Sequence, residues 1–368
     1  MVAPNPAIDA VEPQPWGRNF LARPIPLALI FGTFFFVTIP LIVLESAGAF
    51  EGWRLSPTFL FVAVFGMSHF LITFPIYLNK TNIEHFVSRP RYFVLHFVVP
   101  VALIGVIALG YYLQTWNRGY SAVAIFGFWL FLGLRGLDFY HVVRQSFGVL
   151  ELTKGQAKLK IPPHTKVMAK ALFMTFFCLQ MHTFMSGKTF TAEPLSVGLC
   201  VVAGALFLGL LAYYVRNLLA VGAEDRSYAL IPIAYLVCQG SCAALAVWRT
   251  EFYLAALGMH YMEYHILMQP RVFANLREDE SVGDRLMGMF KRNQWVFYVG
   301  LIALSVFIYC GPRVANGFEH PLGGSGWIYW VFVIQSIIGS LHFYVDSLLW
   351  RFSNPFYRKT LGPLYFTG

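Results

Sequence analysis

Four apolar stretches of this chain each carry a histidine at depth, and three of them carry a carboxylate within one helical turn of it. The stretches read HFLITF from His69, DFYHVVRQ from Asp138, HYMEYH from His260 and HFYVD from His342. On a helix, Asp138 with His141 and His260 with Glu263 are i,i+3 pairs, while His342 with Asp346 is an i,i+4 pair, so each pair can aim at one point. His265 is rotated well away from His260. A carboxylate one turn from a histidine, repeated on several helices, is how helical bundles build di-iron and di-manganese sites. Imidazole with carboxylate suits iron, zinc, manganese or copper, and the lack of thiolate partners argues against soft-metal and cluster chemistry. The expected metal ligands are His69, His141, His260, His265, His342, Glu263 and Asp346, with His96 as an additional one. Glu263, Asp138 and Asp346 are the expected acid–base groups. Asp138 has a second reading, because Arg135 lies at i−3 and could simply be neutralised by it.

These residues must be held by membrane helices. Of the 368 residues, 57% are hydrophobic and only 12% are charged, and the mean hydropathy is +0.60. A soluble domain carries roughly 25% charged residues. The apolar runs are too long and continuous for barrel strands, which alternate. The fold expected is an all-α polytopic integral membrane protein. The net charge of +9 does not point to nucleic acid, since the basic residues lie in loops and track topology. Cys238 and Cys242 share a helix face, but without a second cysteine pair they read as packing residues.

Apolar spans are expected at about 25–47, 56–79, 92–114, 121–143, 168–187, 195–219, 228–248, 252–270, 294–312 and 327–350, a bundle of about ten. Residues 1–24 form an N-terminal interfacial arm, 25–350 one transmembrane domain, and 351–368 a C-terminal tail. Positive charge gathers after the second, fourth, eighth and tenth spans: Lys80, Arg89 and Arg91; Arg144, Lys154 and Lys158; Arg271, Arg277 and Arg285; Arg351, Arg358 and Lys359. The positive-inside rule therefore puts both termini in the cytoplasm, with the inner or plasma membrane as the location if the source is bacterial.

With that topology the chemistry gathers in one leaflet. His69 lies eleven residues before Lys80, His260 eleven before Arg271 and His342 nine before Arg351. At about 1.5 Å per residue the histidines lie roughly 5–17 Å from the cytoplasmic edge. Buried ionisable groups at this depth are costly and mark function. The reading is a non-haem, di-iron oxidoreductase or oxygenase acting on an apolar, lipid-like or isoprenoid substrate, with a redox partner on the cytoplasmic side. In histidine richness and cytosolic placement the chain resembles the integral-membrane desaturases and hydroxylases, although their paired HxxxH and HxxHH boxes are absent. A carotenoid-cleaving membrane dioxygenase of the histidine-rich bacterial type would have similar ingredients. Two other classes stay open: a proton-coupled transporter using the His/Asp/Glu cluster as a relay, and a haem-binding electron-transfer protein.

Overall fold

The computed structural model describes residues 24–52, 56–116, 121–157, 159, 161–186, 193–222, 226–249, 252–315, 327–350 and 354–366, and every regular element among them is helical. The interfacial arm expected at 1–24 lies, but for Pro24, outside the described residues. Helices α1 (Pro24–Gly32) and α2 (Ile39–Ser46) are joined through a π-helical turn, Thr33–Thr38. Helix α3 (Pro57–Phe61) leads through a second π turn, Val62–Gly66, into α4 (Met67–Leu71) and a 3₁₀ turn at Phe74–Leu78. Then follow α5 (Lys80–Val87), α6 (Pro90–Phe93), a third π turn at Val94–Val98 and α7 (Val99–Trp116). The remainder are α8 (Ser121–Gln156), α9 (His164–Ser186), α10 (Pro194–Ala220), α11 (Arg226–Trp248), α12 (Tyr253–Val272), α13 (Val282–Arg292), α14 (Gln294–Ala315), α15 (Trp327–Leu349) and α16 (Pro355–Phe366).

Among the described residues, eight segments are long and apolar enough to cross a membrane: Pro26–Ser46, Pro57–Leu78, Pro90–Leu113, His164–Ser186, Pro194–Ala220, Arg226–Trp248, Gln294–Pro312 and Tyr329–Leu349. Their outward faces are apolar, with Phe36, Val101, Leu208 and Leu219 exposed. Such extended apolar surface suits helices that face lipid. The other two stretches expected as spans are helical as well, but they are less apolar. Helix α8 carries Arg135, Asp138 and Arg144 along its length, and α12 carries His260, Glu263, His265 and Arg271. The reason for α12 is burial: fourteen of its twenty residues are buried, so protein rather than lipid meets its sides.

Helix α12 is the axis of the molecule. It packs against α1 and the first π turn, against the second π turn with α4, and against α8, α11 and α16. Helix α15 closes the other side, touching α4, α7, α8 and α14, while α9 and α10 flank α8 and α11. Between lipid-exposed helices no hydrophobic driving force operates, so close packing and polar contacts hold such a bundle. Gly258 shows how tight the fit is. A methyl at that position would overlap the Thr38 side chain and lie 3.3 Å from Phe61 Cζ. Gly258→Ala is expected to destabilise the folded protein by about 1–3 kcal/mol through overpacking. A lowered thermal unfolding midpoint in detergent is the check.

The segment beyond α15, expected as a tail, contains the docked helix α16. Tyr357, Leu361, Leu364 and Tyr365 recur at helical spacing on its buried face. Phe356 stacks on His85 of α5, with ring centroids 3.8 Å apart and the planes within 4°. Sequence alone suggests a solvated His85. Instead burial in this stack, with Arg89 adding repulsion, pushes its imidazole down to about 4. Undocked, His85 would take up a proton already near 6.5. Docking of α16 is therefore fully supported above that pH and weakens as pH falls towards 4. Hydrogen exchange in α16 should accelerate on acidification, and His85→Phe should remove that dependence.

Candidate metal centre

Four imidazoles, one from each of α4, α8, α12 and α15, meet in the interior. The rings of His69, His260, His141 and His342 stand at the corners of a near-square. Its edges between centroids are 4.8 Å (His69–His260), 4.9 Å (His260–His141), 4.7 Å (His141–His342) and 4.5 Å (His342–His69), and the His69–His141 diagonal is 6.4 Å. One nitrogen from each ring lies within 4.8 Å of all the others. His260 Nε2 is 3.1 Å from His69 Nε2, and His342 Nε2 is 3.0 Å from His141 Nε2. All four residues are buried.

The outer nitrogens show which inner ones are bare. His69 Nδ1 donates to the carbonyl of Gly66 at 2.7 Å, and a carbonyl can only accept. A neutral His69 therefore presents a lone pair on Nε2 towards the group. The second π turn prepares this bond, because it ends at Gly66, one turn before His69 on the same strand of backbone. His342 Nδ1 contacts Thr73 Oγ1 at 2.6 Å, and Thr73 Oγ1 contacts the Tyr264 hydroxyl at 2.8 Å. Tyr264 in turn hydrogen-bonds the Asp346 side chain. His141 Nδ1 faces the same carboxylate, 3.6 Å from Asp346 Oδ2. In the tautomer that turns Nε2 inward, His342 donates along this chain to Asp346. Outer partners of this kind fix ring orientation and raise ligand basicity at metal sites.

Four Nε2 lone pairs turned inward would converge on one cation, whereas a proton on Nε2 of His260 or His141 makes the same contacts N–H···N hydrogen bonds. At a metal–nitrogen distance of about 2.1 Å, ligands at right angles are about 3.0 Å apart and tetrahedral ones about 3.4 Å. The pairs at 3.0 and 3.1 Å fit the right-angled arrangement. Packed on all four edges, the square leaves no space for a porphyrin plane between any opposed pair. This buried four-histidine group could bind a metal ion; which metal the geometry alone does not name.

The other expected site residues lie around the group. His265 is turned to Ser68, its Nε2 3.0 Å from Ser68 Oγ, and stands outside the square. Glu263 is fully buried and accepts from the Tyr235 hydroxyl at 2.8 Å, with Gln239 Nε2 donating to that hydroxyl at 3.1 Å. It is not one of the four converging groups. Asp138 accepts from Arg135 Nη1 at 3.1 Å, the second of its two sequence readings. His96, on the third π turn, stacks on Phe86 at 3.8 Å. Sequence reasoning missed Tyr264 and Gly66. The i,i+4 spacing of His260 and Tyr264 in HYMEYH was the available signal for the tyrosine. Because His265 lies outside the square, His265→Ala is expected to leave bound metal at the wild-type level, as metal analysis of the purified variant would read.

Comparison with protein-family models, with curated proteins and with solved structures yields no match. The class that fold and site define is therefore a helical protein with apolar, membrane-length helices around a buried four-histidine group.

Proposed function

We propose that the protein is a multi-pass membrane oxygenase in which His69, His141, His260 and His342 hold a single iron ion. The observation that carries this is the near-square of four imidazole rings, one per helix, with Nε2 atoms 3.0 and 3.1 Å apart. All-nitrogen ligation suits iron, copper, nickel or zinc. Right-angled spacing of the two closest pairs favours an open site over a closed tetrahedral zinc site, about 3.4 Å between ligands. The sequence favoured two irons. One converging group, with Glu263, Asp138 and Asp346 engaged elsewhere, supports one ion instead.

Bound iron would supply oxygen activation, and the chain's own residues do the rest. Gly66 O, Thr73 and Asp346 orient the imidazoles of His69, His342 and His141. Asp346 places a carboxylate close behind His141, offsetting part of the charge of an ion that four neutral ligands leave uncompensated. The rings of Phe70, Tyr261 and Phe343, which pack on His342, His69 and His141 at 5.0, 4.8 and 4.9 Å, and the packed α12 keep water from the centre. We further infer ten crossings, α8 and α12 included, with both termini cytoplasmic and residues 25–350 as one transmembrane domain. The centre then sits in the cytoplasmic leaflet, within reach of a redox partner there. An apolar, isoprenoid- or lipid-type substrate would arrive sideways from the bilayer, as suits a protein with apolar outer faces.

The test is the purified full chain in detergent. Metal analysis should find about one iron per chain, the number four convergent ligands can hold, and the optical spectrum should lack a Soret band. Oxygen uptake should begin on adding a micellar polyisoprenoid. Protein that holds only zinc, or metal-free protein that drives pH-dependent uptake in vesicles, would overturn this function; the latter would favour transport.

A further inference from the structure

Tyr264 is placed where no packing requirement puts a phenol. Its ring lies 4.8 Å from that of His342 and 5.3 Å from that of His69, so it touches two sides of the square. It is fully buried, and its hydroxyl is shared between Thr73 and the carboxylate of Asp346. The same carboxylate accepts from the indole Nε1 of Trp350. Trp350 is only half-buried, at the end of α15, with the Tyr365 ring 5.7 Å away and exposed Arg358 and Lys359 on the neighbouring helix α16. A chain of side chains thus runs from the histidines to the surface: Tyr264, Asp346, Trp350. Its two ends are the side chains most easily oxidised by one electron, and the middle is a base.

We propose that Tyr264 and Trp350, bridged by Asp346, form a one-electron conduit between the metal centre and the face bearing α16. This rests on the iron oxygenase reading above. Were dioxygen to oxidise a bound iron with no substrate present, Tyr264 would give up one electron to it and pass its phenolic proton to the Asp346 carboxylate. Trp350 then gives one electron to the Tyr264 radical, which takes its proton back from Asp346. The indole Nε1 proton moves to Asp346 in its place. The loss of that proton is needed, because the Arg271 guanidinium lies over the Trp350 ring at 5.1 Å and disfavours a cationic radical. A one-electron reductant at the surface returns Trp350 to its resting form, and Asp346 returns the proton. The conduit would drain damaging oxidising equivalents, or admit electrons when the reaction needs them.

The experiment uses full-length, iron(II)-loaded protein in detergent, mixed with dioxygen without substrate and frozen for electron paramagnetic resonance. Wild type should show an organic radical whose lines narrow when the tyrosine rings are deuterated. Tyr264→Phe, compared at equal bound iron, should abolish it. Trp350→Phe should keep the Tyr264 radical but slow its disappearance on adding ascorbate. Iron content and oxygen uptake are measured on the same samples. Iron-loaded, oxygen-consuming protein that shows no radical, or a radical that persists in Tyr264→Phe, overturns the conduit and leaves the oxygenase standing. Protein without iron, or with iron that stays inert to dioxygen even after a micellar polyisoprenoid is added, overturns both; iron that reacts only with that substrate present overturns the conduit alone.

Discussion

Replacing His260 or His342 by alanine is expected to strip the metal from the protein while the helices still insert. Each imidazole comes from a different helix, so no neighbour on the same element can swing in to replace it. His265 is closest in sequence to His260, but it is committed to Ser68 at 3.0 Å. Even an altered outer partner of a ligand costs about 10–100-fold in metal affinity, so losing a ligand should exceed about 100-fold. After dialysis against a mild chelator, His260→Ala and His342→Ala should retain little metal and wild type should retain it. Both variants holding full metal content would remove the square as the binding site. Gel filtration of the variants separates metal loss from failure to fold.

Asp346→Asn is expected to have the next largest effect, weakening metal binding by about 10–100-fold. One carboxylate serves two ligands: His141 directly at 3.6 Å, and His342 through Tyr264 and Thr73. Asparagine keeps the volume and can still accept from Trp350, so packing should survive. What is lost is the negative charge behind two imidazoles and the acceptor that ends the hydrogen-bond chain. Thr73→Val interrupts only the branch to His342 and should weaken binding less than Asp346→Asn. Equal losses in the two variants would mean that the carboxylate acts on His342 alone. Competition against a chelator of known affinity reads the difference.

How much of this was legible beforehand follows from where information resides in a membrane sequence. Helical spans are written in local composition, and the depth of a residue follows from counting to the nearest basic loop. Those two facts put His69, His141, His260 and His342 in one leaflet, but they admit His265 and His96 as well, which the structure leaves outside the square. Direction around the helix is harder. His260 and His265 lie about 7.5 Å apart in depth, within one band, yet only the former faces the square, because α12 is surrounded by protein and both sides offer polar partners. The carboxylates mislead for a similar reason. Asp346 and Glu263 share faces with histidines, but they reach partners behind those rings: the His141, Tyr264 and Trp350 group for Asp346, Tyr235 for Glu263. The π turns were not visible at all. An extra residue per turn shifts the register of everything after it, and nothing in VAVFG announces that shift before His69. Helix α16 was missed because its apolar spacing is short, and its docking depends on the stack of Phe356 on His85, two residues remote in sequence.

X-ray absorption at the iron edge of the purified protein tests the four-histidine centre most directly. One iron in a shell of nitrogen and oxygen at about 2.1 Å, with the outer scattering of about four imidazole rings and no sulfur, is the result the square predicts. A shell dominated by carboxylate oxygens with a second iron nearby, or a protein whose only metal is bound by other residues and survives His260→Ala, would contradict it.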